Sequence, residues 1–372
     1  MPTLASKLGI RLILLLGQKA PEPAPAEVMT ALQRVEVENN IDGEDGFQLS
    51  FTVGKGRRGE FGLLRSGALD PDTRVVIGVL LGARLHPLID GVIYYEQLRA
   101  DKASGSFHLT VMGRGIGAVL ASKVQVGVHA NESSSDIVRK IISSRYTTEY
   151  GIVGLDGISE TDDRASEQQR TPSQNDTDLT YIKKLARRNG FIFYIEPETL
   201  GTTKVYWGPA DRRTAPLPSL VYEMGSASNT TDLDFSHDAQ APFRVEGDTI
   251  APDTKMSQKI QAPTRTPGLA VARPTPANRT VRLPNAARLT PAEAQVAAAA
   301  MEEEADPAVT ARGSLDTVRY GDVLRAHRVV GVRGAGLSYD GDYLIRRVIH
   351  EIETGKYVQR FYLGRKGLEA SN

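Results

Sequence analysis

The sequence lacks cysteine altogether, and it lacks an excess of charge of either sign. Without cysteine the chain can form no disulfide, no thiolate metal site and no cysteine nucleophile. Basic and acidic residues are equal at 45 each, and this balance argues against a dedicated binder of nucleic acid or of membrane surfaces. No stretch approaches the roughly 18 consecutive apolar residues of a membrane span, so no membrane insertion is expected.

The most apolar stretch near the start of the chain, from Lys7 to Leu16, imitates a secretory signal peptide. Arg11 interrupts it and leaves a run of only Leu12 to Leu16, which is shorter than the roughly 7–15 apolar residues of a signal peptide. We therefore expect a buried strand here, in a protein that is soluble and cytoplasmic when made.

The 35 glycines and 20 prolines, against a single tryptophan, indicate many turns and short strands. Phe47, Leu49, Phe51 and Val53 alternate with polar residues, which is the pattern of a strand with one buried face. Further runs of this kind follow one another without a long helix. Residues 1–129 are therefore predicted to form a first β-barrel domain.

The pattern then changes to helices. A first helix is predicted after the cap-like sequence Ser133–Asp136. A second, amphipathic helix is predicted over Asn175–Ala186, and the apolar runs Phe191–Ile195 and Lys204–Trp207 after it predict a hairpin. Residues 130–230 are therefore expected to form a small α+β domain.

Alternating strands return in the last third of the chain. Residues 231–254 and 313–372 are predicted to form a second β-barrel domain, closed by a final hairpin. Residues 255–312 interrupt it, since their first part is basic and rich in proline and an Ala/Glu helix begins at Pro291. We expect this segment to be a peripheral insertion.

Motifs for catalysis or cofactor binding are weak. Residues Gly54–Gly59 match the glycine spacing of a dinucleotide loop, but further glycines and Pro71 follow where a helix would have to begin. Asp232–Asp238 has the spacing of acidic and polar residues with which an EF-hand calcium loop begins, but it lacks the glycine and the final glutamate of such a loop. A strand with alternating acidic side chains is therefore expected. The six histidines show no metal-ligand spacing. We therefore expect no catalytic residue, no cofactor, no metal and no enzymatic activity.

Two rival function classes stay open at this point. A cell-wall hydrolase could assemble its carboxylates from distant parts of the chain, because glycosidase carboxylates follow no spacing rule. It would need converging ionisable groups in a pocket and activity as a monomer. A carbohydrate-binding β protein would expose a row of aromatic side chains, which a chain with Trp207 as its one tryptophan supplies poorly.

The segment Asn175–Tyr194, NDTDLTYIKKLARRNGFIFY, resembles the (S/D)DLxFLxRLAxxxGxxxY signature of the phage late control D proteins. This tail-hub family includes the N-terminal part of type VI secretion VgrG proteins. The end of the chain is similar to the second barrel of the same family, in Tyr320–Val323, Tyr339–Ile345, Val348–His350 and a final strand that ends at Arg365. The resemblance covers most of the chain in order.

The resemblance implies a mainly β fold, with two similar β-barrel domains of the phage tail-hub type and a small α+β domain. It implies a structural homotrimer at the centre of the baseplate of a phage tail or contractile injection system. Its two barrels per chain would give a ring with pseudo-sixfold symmetry, which adapts a hexameric inner tube or tube-initiator protein to a trimeric spike. Other baseplate proteins are further expected partners. Because no oligonucleotide-binding fold or β-helical needle follows Leu363, the spike is expected to be a separate chain.

Apolar and aromatic strand faces would carry the large interfaces of such a ring, with mixed charges at the rim. The candidate interface residues are four aromatic residues of the predicted strands, Phe47, Phe51, Tyr357 and Phe361. We expect them to be core residues first and interface residues second.

Overall fold

The computed structural model shows a mainly β chain, as the sequence predicts. It describes residues 9–56, 59–101, 105–164, 172–210, 216–250, 256–261, 269, 271–284, 286, 289–303, 305 and 307–370. Most strands lie in one 13-stranded sheet. We call the two halves of this sheet lobe 1 and lobe 2, and the helices and small sheets between them in sequence the middle domain.

Lobe 1 consists of strands in which alternate residues are apolar. They are β1 (Ile10–Gly17), β2 (Glu22–Pro23), β3 (Leu32–Asn40), β4 (Gly46–Val53), β5 (Arg74–Leu81), β6 (Arg84–Ala100) and β7 (Phe107–Gly115). Short helices α1 (Ala26–Ala31) and α2 (Gly62–Arg65) lie between them. The stretch that imitates a signal peptide is β1, whose Ile10, Leu12 and Leu14 are buried in the lobe core. The prediction of a buried strand is therefore confirmed.

The middle domain follows lobe 1. Its elements are β8 (Val124–Val128), α3 (Ser134–Arg145), α4 (Thr147–Tyr150), β9 (Ile152–Gly154), β10 (Ser173–Thr177), α5 (Asp178–Arg188), β11 (Phe191–Thr199) and β12 (Thr202–Pro209). Ser133 and Asp136 form the predicted capping box of α3. The helix α5 begins later than predicted, because Asn175 lies in β10 and pairs with β8, and the hydroxyl of Thr177 caps the helix instead.

Lobe 2 has its own apolar core, in which Leu220, Leu315 and Val348 are fully buried. Its strands are β13 (Leu217–Val221), β14 (Thr230–His237), β19 (Val309–Asp316), β20 (Val329–Arg333), β21 (Gly341–Glu353) and β22 (Lys356–Arg365). A short helix, α7 (Thr317–Tyr320), follows β19. The sequence assigned residues 217–221 to the α+β domain, but they pair with β20 and thus belong to lobe 2.

Between β14 and β19 the chain leaves lobe 2 and returns to it. The strands here are β15 (Phe243–Ile250), β16 (Ser257–Gln261), β17 (Val271–Pro274) and β18 (Arg279–Arg282), and β17 pairs with β23 (Gly367–Ala370). Ala294 and Ala298 of helix α6 (Pro291–Glu303) cover Val245 in the small sheet of β15, β16 and β18. Residues 231–254 were predicted to lie in the second barrel, but only β14 does so, because the apolar face of β15 packs in this separate core.

The two lobes repeat one topology. The order of neighbouring strands is β1-β5-β6-β7-β4-β3 in lobe 1 and β13-β20-β21-β22-β19-β14 in lobe 2, so strands of the same rank along the chain occupy the same place. Register shifts also recur, after Ile93 in β6 and Ile345 in β21, and after Leu32 in β3 and Thr230 in β14. One pairing differs in direction, since β1 is antiparallel to β5 whereas β13 is parallel to β20.

Candidate assembly interface

The two lobes meet through a backbone ladder between β3 of lobe 1 and β21 of lobe 2. The strands are antiparallel, with Arg347 opposite Asn40 at one end and Glu353 opposite Arg34 at the other. Ile352 of lobe 2 is fully buried in the core of lobe 1. Eight strands, from β14 to β6, therefore follow one another without a break across both lobes.

A cluster of charges around Arg34 accompanies this junction. Glu36 lies directly opposite Glu351, and two like charges in this position repel one another. The guanidinium of Arg34 lies 2.9 Å from Glu36, 3.4 Å from Glu351 and 3.2 Å from Glu353. Arg34 thus compensates the carboxylates of both lobes, and the junction is matched in charge as well as in register.

Each lobe also carries a strand edge that pairs with no other strand among the residues that the structure describes. The second half of β6, Tyr94–Ala100, pairs only with β7, and β14 pairs only with β19. Tyr94, Tyr95 and Leu98 on the first edge are 50 %, 43 % and 39 % exposed. Open edges with apolar side chains promote pairing with another chain, and soluble proteins usually protect them. These two edges are the candidate assembly interface.

A second apolar surface lies on the middle domain. Val124, Val126 and Val128 point outward from β8, and all three are exposed. Their strand pairs only with β10, in a two-stranded ribbon whose Ser173 and Asn175 are also exposed. A row of exposed valines on a ribbon is typical of a contact surface.

The four aromatic residues named from the sequence lie inside the subunit. Phe47, Phe51, Tyr357 and Phe361 are 4 %, 1 %, 0 % and 3 % exposed. The first three share the core of lobe 1, and Phe361 lies in the core of lobe 2. Such buried rings leave little surface for a partner, so their contact with a neighbouring subunit stays a prediction. The exposed tyrosines of β6 escaped the sequence analysis, although two adjacent tyrosines break the alternation of an ordinary strand.

The two motifs that resemble a dinucleotide loop and a calcium loop lie in different lobes. Residues 57 and 58 of the glycine-rich loop lie outside the described residues, and the next helix begins at Gly62 rather than at Gly54. Asp232–Asp238 lies mainly in β14, where the carboxylate of Asp234 is 2.9 Å from the guanidinium of Arg312. The predicted strand with alternating acidic side chains is confirmed.

The histidines do not converge on a metal site. His350 is fully buried, its Nδ1 is 3.0 Å from the hydroxyl of Tyr357, and burial lowers its pKa to about 3. It is therefore a neutral core histidine. In the described part of the chain, no three histidine, aspartate or glutamate side chains come together as metal ligands would.

A cleft of about 610 Å³ lies between the lobes and the middle domain. Two of its lining carboxylates are already engaged within the protein. Asp90 accepts hydrogen bonds from Arg74 Nε at 2.8 Å and Nη2 at 2.6 Å, and Asp45 accepts the backbone N–H of Asn40 at 2.8 Å. Both carboxylates thus accept hydrogen bonds from groups of the protein itself.

Asp45 predicts a pH dependence of stability. Burial raises its pKa from 3.8 to about 6, although hydrogen bonds from Asn40 and Asn39 oppose the shift. The protonated carboxyl therefore favours the fold at low pH, and this contribution is lost as the pH rises through about 6. Asp45→Asn should raise the free energy of unfolding at pH 8, by at most about 3 kcal/mol, and change it little at pH 4.

Urea unfolding of both proteins at pH 4 and pH 8 measures this difference. Glu44→Gln is the matched control, because Glu44 is an exposed neighbour of Asp45 and its replacement should change the stability little. An Asp45→Asn variant whose advantage does not grow with pH would contradict the assignment.

The described residues include no helix with the length and apolar character needed to cross a membrane. Comparison with curated proteins finds no relative. Three solved structures with similar folds are a tail protein from Neisseria meningitidis, a 43 kDa tail protein of prophage MuSo2 from Shewanella oneidensis, and the E. coli c3393 protein, a component of the type VI secretion system.

The match to the Neisseria protein has a TM-score of 0.64 at 15 % identity and covers 97 % of this chain and 98 % of that one. The match to the Shewanella protein has a TM-score of 0.63 at 12 % identity and covers 96 % of this chain and 98 % of that one. The match to the E. coli protein has a TM-score of 0.53 at 12 % identity and covers 92 % of this chain and 76 % of that one. These likenesses concern the fold. The family model described as phage tail baseplate hub (GPD) matches residues 65–356, which is more than half of the chain. With its repeated lobes and this match, the chain belongs to the phage tail baseplate hub family.

Proposed function

We propose that three copies of this chain form a ring at the centre of a baseplate, where the ring joins a hexameric inner tube to a trimeric central spike. The chain acts as a structural adaptor and not as an enzyme. It is made in the cytoplasm and then built into a phage tail or a related contractile particle, in contact with other baseplate proteins.

The repeated topology of the lobes is the observation that carries this proposal. A trimer of chains with two equivalent lobes offers six similar units to a hexameric tube and three identical chains to a trimeric spike. The in-chain ladder between β3 and β21 supports it, because it shows how one lobe continues into the next. The open edges of β6 and β14 supply a place at which the same continuation can occur between chains.

The mass of the particle in solution tests the proposal. Light scattering of the purified full-length chain should give three times the 40.4 kDa subunit mass at high protein concentration. Dilution should reveal exchange with the single chain, since a trimer dissociates by mass action. A chain that stays monomeric at every concentration and cleaves peptidoglycan would contradict the adaptor function and favour the hydrolase alternative.

A further inference from the structure

We propose that the second half of β6 pairs with β14 of a neighbouring copy, in the register that β21 and β3 use within one chain. The inference rests on the proposed trimer and deepens it by naming the strands and residue pairs that join the subunits. The partner is a second copy of this chain, because each copy carries one open edge of each kind.

The register follows from the repeated topology. Counted from the shared register shifts, Leu98 of β6 holds the place of His350 in β21, and Phe235 of β14 holds the place of Val37 in β3. His350 and Val37 are directly opposite one another in the in-chain ladder. The same arrangement between copies places Leu98 opposite Phe235.

The backbone of β6 is oriented for this pairing. Asp101 donates its N–H to the carbonyl of Ser106 at 2.9 Å, which sets the alternation of hydrogen bonds between β6 and β7. In an antiparallel ladder every second residue bonds to a given neighbour. Glu96, Leu98 and Ala100 therefore direct their N–H and C=O groups away from β7, toward the open edge.

The backbone of β14 is oriented in the complementary way. Asp238 donates its N–H to the carbonyl of Ala308 at 2.8 Å, which sets the alternation between β14 and β19. Leu233, Phe235 and His237 consequently direct their N–H and C=O groups away from β19. Leu98 and Phe235 can thus exchange both hydrogen bonds of an antiparallel pair. Within one chain, Ile41 donates its N–H to the carbonyl of Arg346 at 2.8 Å, and the same alternation makes His350 and Val37 a hydrogen-bonded pair.

Three of the side-chain pairs that meet in this register are complementary in character, and at the end of the ladder Asp101 would lie opposite Asp232. The three complementary pairs are Leu98 with Phe235, Arg99 with Asp234, and Glu96 with His237. The first is apolar, the second joins opposite charges, and the third joins a carboxylate to a histidine; cross-strand pairs of these kinds stabilise sheets. Pairing β14 with another β14 would instead bring the aspartates of two copies together.

Pairing of this kind is head to tail, because the two edges belong to different lobes. Head-to-tail contacts close into a ring when the rotation between copies allows it. Each added chain extends the continuous sheet by the eight strands from β14 to β6. The ring would therefore be lined by one closed path of strands, in which the edges of β6 and β14 are both paired.

A disulfide can report the pairing directly, because the chain has no cysteine of its own. Gln97 and Ser236 are exposed and lie opposite one another in the proposed register, so the variant Gln97→Cys with Ser236→Cys should cross-link between copies on mild oxidation. The matched control, Gln97→Cys with Asp234→Cys, is shifted by two residues on the same face. Its cysteines are about 7–8 Å apart, which is too far for a disulfide.

Non-reducing electrophoresis should show a cross-linked trimer for the first variant and single chains for the control. The molar mass of the same samples is measured by light scattering before oxidation. This measurement separates the proposed trimer from the proposed strand pairing. A trimer in solution with no cross-link at residues 97 and 236 would overturn the strand pairing and leave the adaptor function standing. A monomer at every concentration would overturn both, and equal cross-linking of the control would refute the register.

Discussion

Replacing Arg74 with alanine is expected to lower the free energy of unfolding by about 3–5 kcal/mol, because the change leaves a buried carboxylate without its partner. The side chains of Arg74 and Asp90 are 2 % and 0 % exposed, and two hydrogen bonds join them. Arg74 also donates to the carbonyl of Gly201 at 2.9 Å and thereby connects lobe 1 to the turn between β11 and β12. The variant loses this connection as well.

The loss should depend on pH. Burial raises the pKa of Asp90 in the native protein, and the hydrogen bonds and charge of Arg74 oppose that rise. In Arg74→Ala only burial remains, so the pKa rises further and the variant is penalised increasingly as the pH increases. Urea unfolding should therefore show a larger difference from the native chain at pH 8 than at pH 5.

The double variant Arg74→Met with Asp90→Leu is the control for Arg74→Ala. It removes both charges and keeps the volume apolar, which costs much less than leaving one charge unpaired. We expect it to recover most of the lost stability and to lack the additional penalty that the single variant suffers at pH 8. A single variant that unfolds like the native chain would show that the ion pair is dispensable.

Replacing Phe361 with alanine is expected to lower the free energy of unfolding by about 3–5 kcal/mol, the usual cost of emptying a buried phenylalanine site. Phe361 lies in the core of lobe 2, opposite Gly313 on the neighbouring strand β19. An added Cβ at Gly313 would lie 2.9 Å from the ring, so the ring occupies the space that glycine leaves. Alanine leaves this space empty.

Urea unfolding at low protein concentration, where single chains predominate, measures the effect of Phe361→Ala on the subunit itself. Tyr94→Ala is the matched control, since Tyr94 is an exposed aromatic residue and should cost less than about 1 kcal/mol. If Phe361→Ala instead weakened only the trimer and left the subunit as stable as before, the residue would act in the interface rather than in the core.

Local features of the fold could be predicted from the sequence because short-range rules govern them. The alternation in Phe47–Val53 and the apolar stretch around Arg11 gave the correct strands, since one face of each strand is buried. The capping box at Ser133 gave the start of α3 for the same kind of reason. Where such rules compete, as at Asn175, the pairing of β10 with β8 places the residue in a strand and the helix begins later.

Long-range features could not be predicted in this way. The ladder between β3 and β21 joins strands about 300 residues apart, and nothing local at Val37 indicates that His350 will lie opposite it. The ion pair of Arg74 with Asp90 depends equally on the finished sheet. The boundary at Phe243 was missed because its strand alternates like those of lobe 2, and only packing against α6 assigns it to a separate sheet.

The charges around Arg34 favour the correct pairing of the two similar lobes during folding. In β14 the places of Arg34 and Glu36 are taken by Asp232 and Asp234. If β14 were to occupy the position of β3 beside β21, these aspartates would lie opposite Glu353 and Glu351, and an aspartate would stand in the place of Arg34. Like charges in that position repel, and misassembly between similar domains is a known hazard of repeated folds. Electrostatic divergence of the two copies thus opposes the wrong match while the nascent protein folds.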